Sequence, residues 1–197
     1  MISVHDVRNC NSSLAPILAV DTTVLVRMLG KNRFGASYER LLHRCMVEGV
    51  PWAVSGFARG ELYRVAKKEV YEQVAPKMGL SKHQWMTAQQ RDPSYLAKAM
   101  AMADSVEEAL KRYRGILLDP VTIDEGFLSE QHRAMFVYGL DQMDSAIYAA
   151  AITAGYRGLI THDADFGSRA ENLNIYTANQ ELLSKTGPGI VRDQLLP

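Results

Sequence analysis

Residues 139–167 read GLDQMDSAIYAAAITAGYRGLITHDADFG, and the fold follows from how this stretch is parsed. Leu140, Met143, Ile147, Ala150, Ala151 and Ala154 fall at the three-and-four spacing of a helix with an apolar side. Asp144 breaks that pattern. It sits beside Met143 near the predicted helix start, where the positive end of the helix dipole favours a carboxylate that still needs water, a cation or a partner. Gly155 ends the helix, and Gly158-Leu159-Ile160-Thr161 predicts a short buried strand running into His162-Asp163-Ala164-Asp165-Phe166. In open α/β sheets ligands bind outside the carboxyl ends of the strands, so acids at that place point to a site.

The same order of strand, acid and helix recurs upstream. Ile17-Leu18-Ala19-Val20 predicts a buried strand ending on Asp21-Thr22-Thr23, with a short helix from Val24 to Leu29 and a loop carrying Lys31 and Arg33. Ser37 is the expected cap of a helix that Gly49 ends. Trp52-Ala53-Val54 is the next predicted strand, Ser55 a plausible N-cap, and the helix after it carries Ala58, Leu62, Val65 and Ala66 on one side with Glu61 at its margin. Ile116-Leu117-Leu118 and Asn174-Ile175-Tyr176 complete about five strands, none joined by a hairpin turn, which predicts a parallel sheet with helices on both faces. Asp124 is expected to start a helix ending near Phe136. Residues 76–114 interrupt the rhythm with a Met- and Ala-rich helix former, read as a helical insertion. Its basic end, Lys111, Arg112 and Arg114, suggests a lid or arm beside the site. Residues 1–13 are polar and aperiodic, a loose extension before a single domain over 14–197.

Composition narrows the function. The 197 residues carry 22 Lys plus Arg against 22 Asp plus Glu, so no global field attracts a polyanion and any such site must be local or made by metal. Cys10 and Cys45 lack metal-site spacing and suit a reducing, cytoplasmic setting. The apolar run Leu14 to Val20 is too short to span a membrane.

Asp21, Asp144 and Asp163 occupy comparable places, with Glu61 a fourth acid after the second predicted strand. Each has an ordinary reading: an N-cap for Asp21, a solvated helix face for Glu61, a dipole partner for Asp144, an Asx turn for Asp163. Their joint order is what those readings do not explain. If the first and fourth predicted strands are neighbours where the winding reverses, the four carboxylates gather at one end of the sheet. Gathered carboxylates repel, and a hard divalent cation, Mg2+ or Mn2+, relieves that repulsion while activating water for in-line attack at phosphorus. His162 is read as a loop histidine, since hard cations prefer oxygen, and Tyr148 as packing.

ILAVDTTVLVRML, VSGFARGELYRV and GLDQMDSAIYAAAITAGYRGLITHDADF together resemble the PIN-domain ribonucleases, above all the VapC-type toxins of bacterial and archaeal toxin-antitoxin pairs. The resemblance covers residues 14–177 apart from the insertion, which departs from the compact toxins. It implies a PIN-like fold and a Mg2+- or Mn2+-dependent endoribonuclease in which Asp21, Glu61, Asp144 and Asp163 are catalytic and hold metal. It further implies Asp165 as an accessory metal-site acid, Thr23 and Thr161 as supporting hydroxyls, a homodimer, an RNA substrate and an antitoxin partner. An RNA-processing nuclease outside a toxin pair and a non-catalytic binding protein on the same fold are the rival readings. A haloacid-dehalogenase-like phosphatase fails, because it needs a second acid where Thr23 stands.

Overall fold

The computed structural model describes residues 3–9, 12–29, 33–81, 84, 87, 91–92, 94–169 and 172–186. Cys10, Lys31 and the Gly- and Pro-bearing tail lie outside them. Six parallel strands, β1 (Val4–Asp6), β2 (Leu18–Val20), β3 (Trp52–Ser55), β4 (Ile116–Asp119), β5 (Gly158–Ile160) and β6 (Asn174–Thr177), form one sheet in the order β1-β6-β5-β2-β3-β4. From β2 the chain builds outward through β3 to β4, then returns to lay β5 on the other side of β2. The winding therefore reverses between β2 and β5, in register Val20 to Ile160. Right-handed crossovers on the two sides of that reversal put helices on both faces.

One strand more is present than the sequence predicts. Val4–Asp6 is an edge strand paired with β6, Val4 opposite Ile175, and Val4 and Val7 are buried. The reading of residues 1–13 as loose is corrected here: a three-residue strand is too short to show a period, and its pairing with residues 175–177 has no local signature.

The helices are α1 (Thr22–Leu29), α2 (Arg33–Glu48), α3 (Gly56–Val74), α4 (Tyr95–Lys111), α5 (Glu125–Phe136), α6 (Gln142–Thr153), α7 (Ala164–Arg169) and α8 (Gln180–Thr186). Ser55 caps α3, its Oγ accepting from the Ala58 N–H at 3.2 Å, and Asp124 caps α5 by accepting from the Phe127 N–H at 2.8 Å. Ser37 is not a cap. The helix starts earlier, at Arg33, and the Ser37 hydroxyl bonds back to the Arg33 carbonyl at 3.2 Å.

α6 is buried over its whole middle, Ser145 to Ala151. Ile147, Tyr148 and Ala151 join the main core, while Ala146, Ala149 and Ala150 pack with Phe127 of α5. This explains the run of alanines, since two layers approach one helix closely. Gly158 opens β5 in an equally tight place: a Cβ there would lie 2.4 Å from Leu18 Cδ2 and 2.9 Å from Tyr176 Cε2.

The insertion docks as the second arm of a helical hairpin. Tyr95, Ala99, Ala103, Val106 and Leu110 form a buried stripe along α4 that lies against α3. Arg59 of α3 pairs with Glu107, and the Tyr95 hydroxyl donates to the Lys67 carbonyl at 2.6 Å. The expectation of a lid whose basic end borders the site is not met. Arg114 leads into the amino end of β4, and the Tyr113 carbonyl accepts from Trp52 Nε1 at 3.2 Å, at the start of β3. The acids lie at the opposite, carboxyl end. No helix among the described residues is long and apolar enough to cross a membrane.

Candidate functional site

Asp21 follows β2 directly, and its backbone N–H donates to the Ile160 carbonyl of β5 at 2.9 Å, which fixes it at the reversal point. The residue is only 1 % exposed. One oxygen, Oδ2, accepts from Thr161 Oγ1 at 2.7 Å and from Thr23 Oγ1 in a shorter bond. The other, Oδ1, is buried without a hydrogen-bond partner. Such an oxygen is rare in a folded interior and calls for an explanation, an ion being one.

Thr23 and Thr161 connect this carboxylate to the next loop. The Thr23 hydroxyl accepts from the His162 N–H and the Thr161 hydroxyl from the Asp163 N–H, each at 2.9 Å. Each hydroxyl accepts from the loop and so has its single proton directed to Asp21. Asp163 then accepts from the Asp165 N–H at 2.8 Å and starts α7, with Asp165 in its first turn.

Asp141 caps α6, its Oδ1 taking the N–H groups of Met143 and Asp144 at 2.8 Å each. That cap fixes the first turn, on which Asp144 stands. Glu61, one turn into α3, is mostly buried and accepts from Arg64 Nη2 at 2.8 Å.

The electrostatics record how near these acids are. Asp144 is pushed up to about 8, first by burial and then by the charges of Asp21, Asp141, Asp163 and Glu61. Asp21 is pushed up to about 6, again mainly by burial, with its two threonine hydrogen bonds opposing and Asp163 and Glu61 adding to the rise. Burial also raises Asp163, helped by Asp165, Asp141 and Glu61. All four predicted site acids, and both predicted hydroxyls, thus lie at one end of the sheet.

They are close without being closed. No three His, Cys, Asp or Glu side chains among the described residues are already drawn to the spacing of a bound ion. The donor set nonetheless suits a hard cation. Every candidate is an oxygen, Asp21 Oδ1 is buried and unshared, and Mg2+ keeps several waters while binding through one or two carboxylates.

Residues outside the predicted set hold the loop. The Tyr38 hydroxyl donates to the Thr161 carbonyl at 3.1 Å, accepts from the Ala178 N–H at 3.0 Å and meets His162 Nδ1 at 2.7 Å. Asn179 Nδ2 donates to the His162 carbonyl at 2.7 Å. A signal for Asn179 existed, since Tyr176-Thr177-Ala178-Asn179 repeats the order of Ile160-Thr161-His162-Asp163 at the end of the neighbouring strand. None existed for Tyr38, a buried helix residue. His162 itself is buried and lowered to about 4, by desolvation and by Arg27, so it is neutral at ordinary pH.

No family model matches the sequence, and no curated relative does. Among solved structures the chain is similar to one in the crystal structure of VapBC2 from Rickettsia felis bound to a DNA fragment from their promoter. The TM-score is 0.51 at 16 % identity over 82 % of this chain and 98 % of that one. At this identity the likeness speaks for the fold alone, which is α/β and PIN-like.

Proposed function

We propose that the chain is a Mg2+- or Mn2+-dependent endoribonuclease that hydrolyses RNA phosphodiester bonds, and that it is the toxin of a toxin-antitoxin pair. The observation that carries the reading is Asp21 Oδ1, buried and unpartnered at the strand reversal with Asp144, Asp163 and Glu61 around it. Asp21, Asp144 and Asp163 would hold the ion, Glu61 would do so directly or through water, and Asp165 would assist. Bound there, the ion supplies charge neutralisation at phosphorus and a more acidic water.

The chain's own contribution is preorganisation. Thr161 and Thr23 bind Oδ2 of Asp21 and so leave Oδ1 for a ligand. Tyr38 and Asn179 fix the backbone carbonyls of residues 161 and 162, which keeps Asp163 beside Asp21. The Asp141 cap holds the helix turn carrying Asp144. Arg64 bonds Glu61 from the outer side, at the border between the acids and solvent, where a phosphate chain would approach.

The toxin assignment draws on the sequence resemblance and on the VapBC2 likeness, both of which point to an antitoxin partner and, by resemblance, a homodimer. Purified protein should cut single-stranded RNA with Mg2+ or Mn2+ and not with chelator. Asp21→Asn, Glu61→Gln, Asp144→Asn and Asp163→Asn should each lower the rate by orders of magnitude with the fold intact, and Asp165→Asn by less. Parental rates in the Asp21 and Asp144 variants would end the nuclease reading. Growth arrest on expression, relieved by a protein encoded beside it, would separate a toxin from an RNA-processing enzyme.

A further inference from the structure

Beside the acids, between α3, α5 and the start of α6, lies an open cavity of about 360 Å3. That is within the range of small-molecule sites, about 300–1,000 Å3, and too small for a duplex. Glu61 and Asp141 form its border with the candidate centre. Its remaining wall is of another chemistry. Arg64, 69 % exposed at its side chain, is the cation of the lining, and Gln131 of α5 and Gln142 of α6 also line it. Phe57 and Met143 supply half-buried apolar surface, and Phe57 is backed by Phe127 in a parallel stack with centroids 5.6 Å apart.

This combination matches one unstacked nucleotide. A guanidinium suits a phosphate, an aromatic surface suits a base face, worth about tenfold or more in affinity, and an amide offers donor and acceptor together to a base edge. Gln131 is held only loosely for such a task, donating to the Gln142 carbonyl at 3.5 Å. Its amide can turn to a ligand at small cost. Duplex RNA hides its base edges in a deep groove, so a pocket of this kind selects single strands.

We infer that this pocket is the subsite for the nucleotide adjoining the scissile phosphate, with Gln131 and Gln142 reading its base, Phe57 supporting it and Arg64 contacting its phosphate. The inference rests on the nuclease reading and adds to it the residues that set sequence preference. The test uses the full chain and the variants Gln131→Ala/Gln142→Ala, Gln131→Glu and Arg64→Ala. Cleavage positions are mapped on a randomised single-stranded RNA with Mn2+, and binding of labelled homopolymeric oligoribonucleotides is measured with Ca2+.

The double alanine variant should flatten the base preference beside the cut by about tenfold. Gln131→Glu, which keeps length but loses the donor, should shift the preference toward a base edge that donates, and both should retain the parental rise in melting temperature with Mn2+. An unchanged preference in both overturns the subsite while leaving the nuclease standing. If the parent cuts nothing, the binding arm decides alone: base-dependent affinity lost in the double variant supports the pocket, and affinity equal to the parent's overturns it.

Discussion

Asp144→Asn tests whether the acids share one electrostatic site, because it changes charge while keeping shape. In the fold the Asp144 carboxyl moves from an ordinary 3.8 to about 8. At about 1.4 kcal/mol for each tenfold in proton affinity, carrying it into the fold at pH 7 costs at most about 4 kcal/mol. The group is partly open to water, so screening reduces this to about 2 kcal/mol. Asparagine avoids the cost, and for a chain of this length about 2 kcal/mol is about 4–8 °C in melting temperature. The metal-free variant should therefore melt that much above the parent at pH 7.

The pH dependence has a definite sign. The folded carboxyl holds its proton more tightly than the unfolded one, so the cost is absent below pH 3.8, grows as the pH rises and is complete above about 8. Parent and variant should converge on acidification toward pH 4. Lowered His162 acts in both proteins and cancels in the difference, whereas the repulsion between Asp21 and Asp144 is lost in the variant and is part of the effect. With Mn2+ at 100 times its dissociation constant the parent should gain roughly 2.7 kcal/mol, and the variant markedly less. Melting curves in chelator and in Mn2+, each at several pH values, measure all of this. Equal Mn2+ shifts in the two proteins, or no gain for the variant in chelator, would place Asp144 outside the site.

Other predictions follow from particular bonds. Thr161→Val removes the donor to Asp21 Oδ2 and the acceptor of the Asp163 N–H, and should cost about 1–3 kcal/mol in urea unfolding; an unchanged midpoint would mean that water replaces the hydroxyl. Tyr38→Phe strips one hydroxyl from three partners in a residue that is fully buried. It should cost about 1–3 kcal/mol by the same assay and slow cleavage by loosening residues 161–163, whereas full activity would show that Asn179 alone holds the loop. Arg64→Ala should reduce the salt slope of RNA binding by about one, and Arg112→Ala with Arg114→Ala should leave it unchanged. A slope that falls only in the Arg112 and Arg114 double variant would move the RNA path to the far edge of the sheet.

The residues that made the site legible are those whose type conflicts with their surroundings. An acid closing an apolar run, as Asp21 does after Ile17 to Val20, has no place in a core unless something compensates it. The reversal between β2 and β5 was open to reasoning as well, because parallel strands with helical connections admit few orders. β1 was not, since three residues show no period and the strand they pair with lies some 170 residues away. α4 was predicted as a helix, but not its docking: Tyr95, Ala99, Ala103, Val106 and Leu110 match α3 only once the two helices lie side by side. Tyr38 escaped because it acts largely through a backbone carbonyl, which has no identity in a sequence, and Asn179 was legible only in the repeated order at the end of β6. The missing partner of Asp21 Oδ1 is likewise a property of three dimensions.

The pairing of β2 with β5 bears on the order in which the protein can be made. Asp21 and Thr161 stand 140 positions apart, so a chain still on the ribosome has synthesised the central strand and its acid long before the partner strand exists. Until residues 158–163 have emerged, Leu18–Val20 presents one edge unpaired, and an apolar edge of that kind invites association with other chains. Over the same interval Thr161 and Asp163 are absent, so a nascent or prematurely terminated chain lacks one of its four cluster acids and a hydroxyl that binds Asp21. The candidate site is therefore incomplete until the sheet can close, and metal-dependent cleavage should appear as a step when chain length passes β5. Slow closure is expected too, because a pairing so distant in sequence forms late in folding.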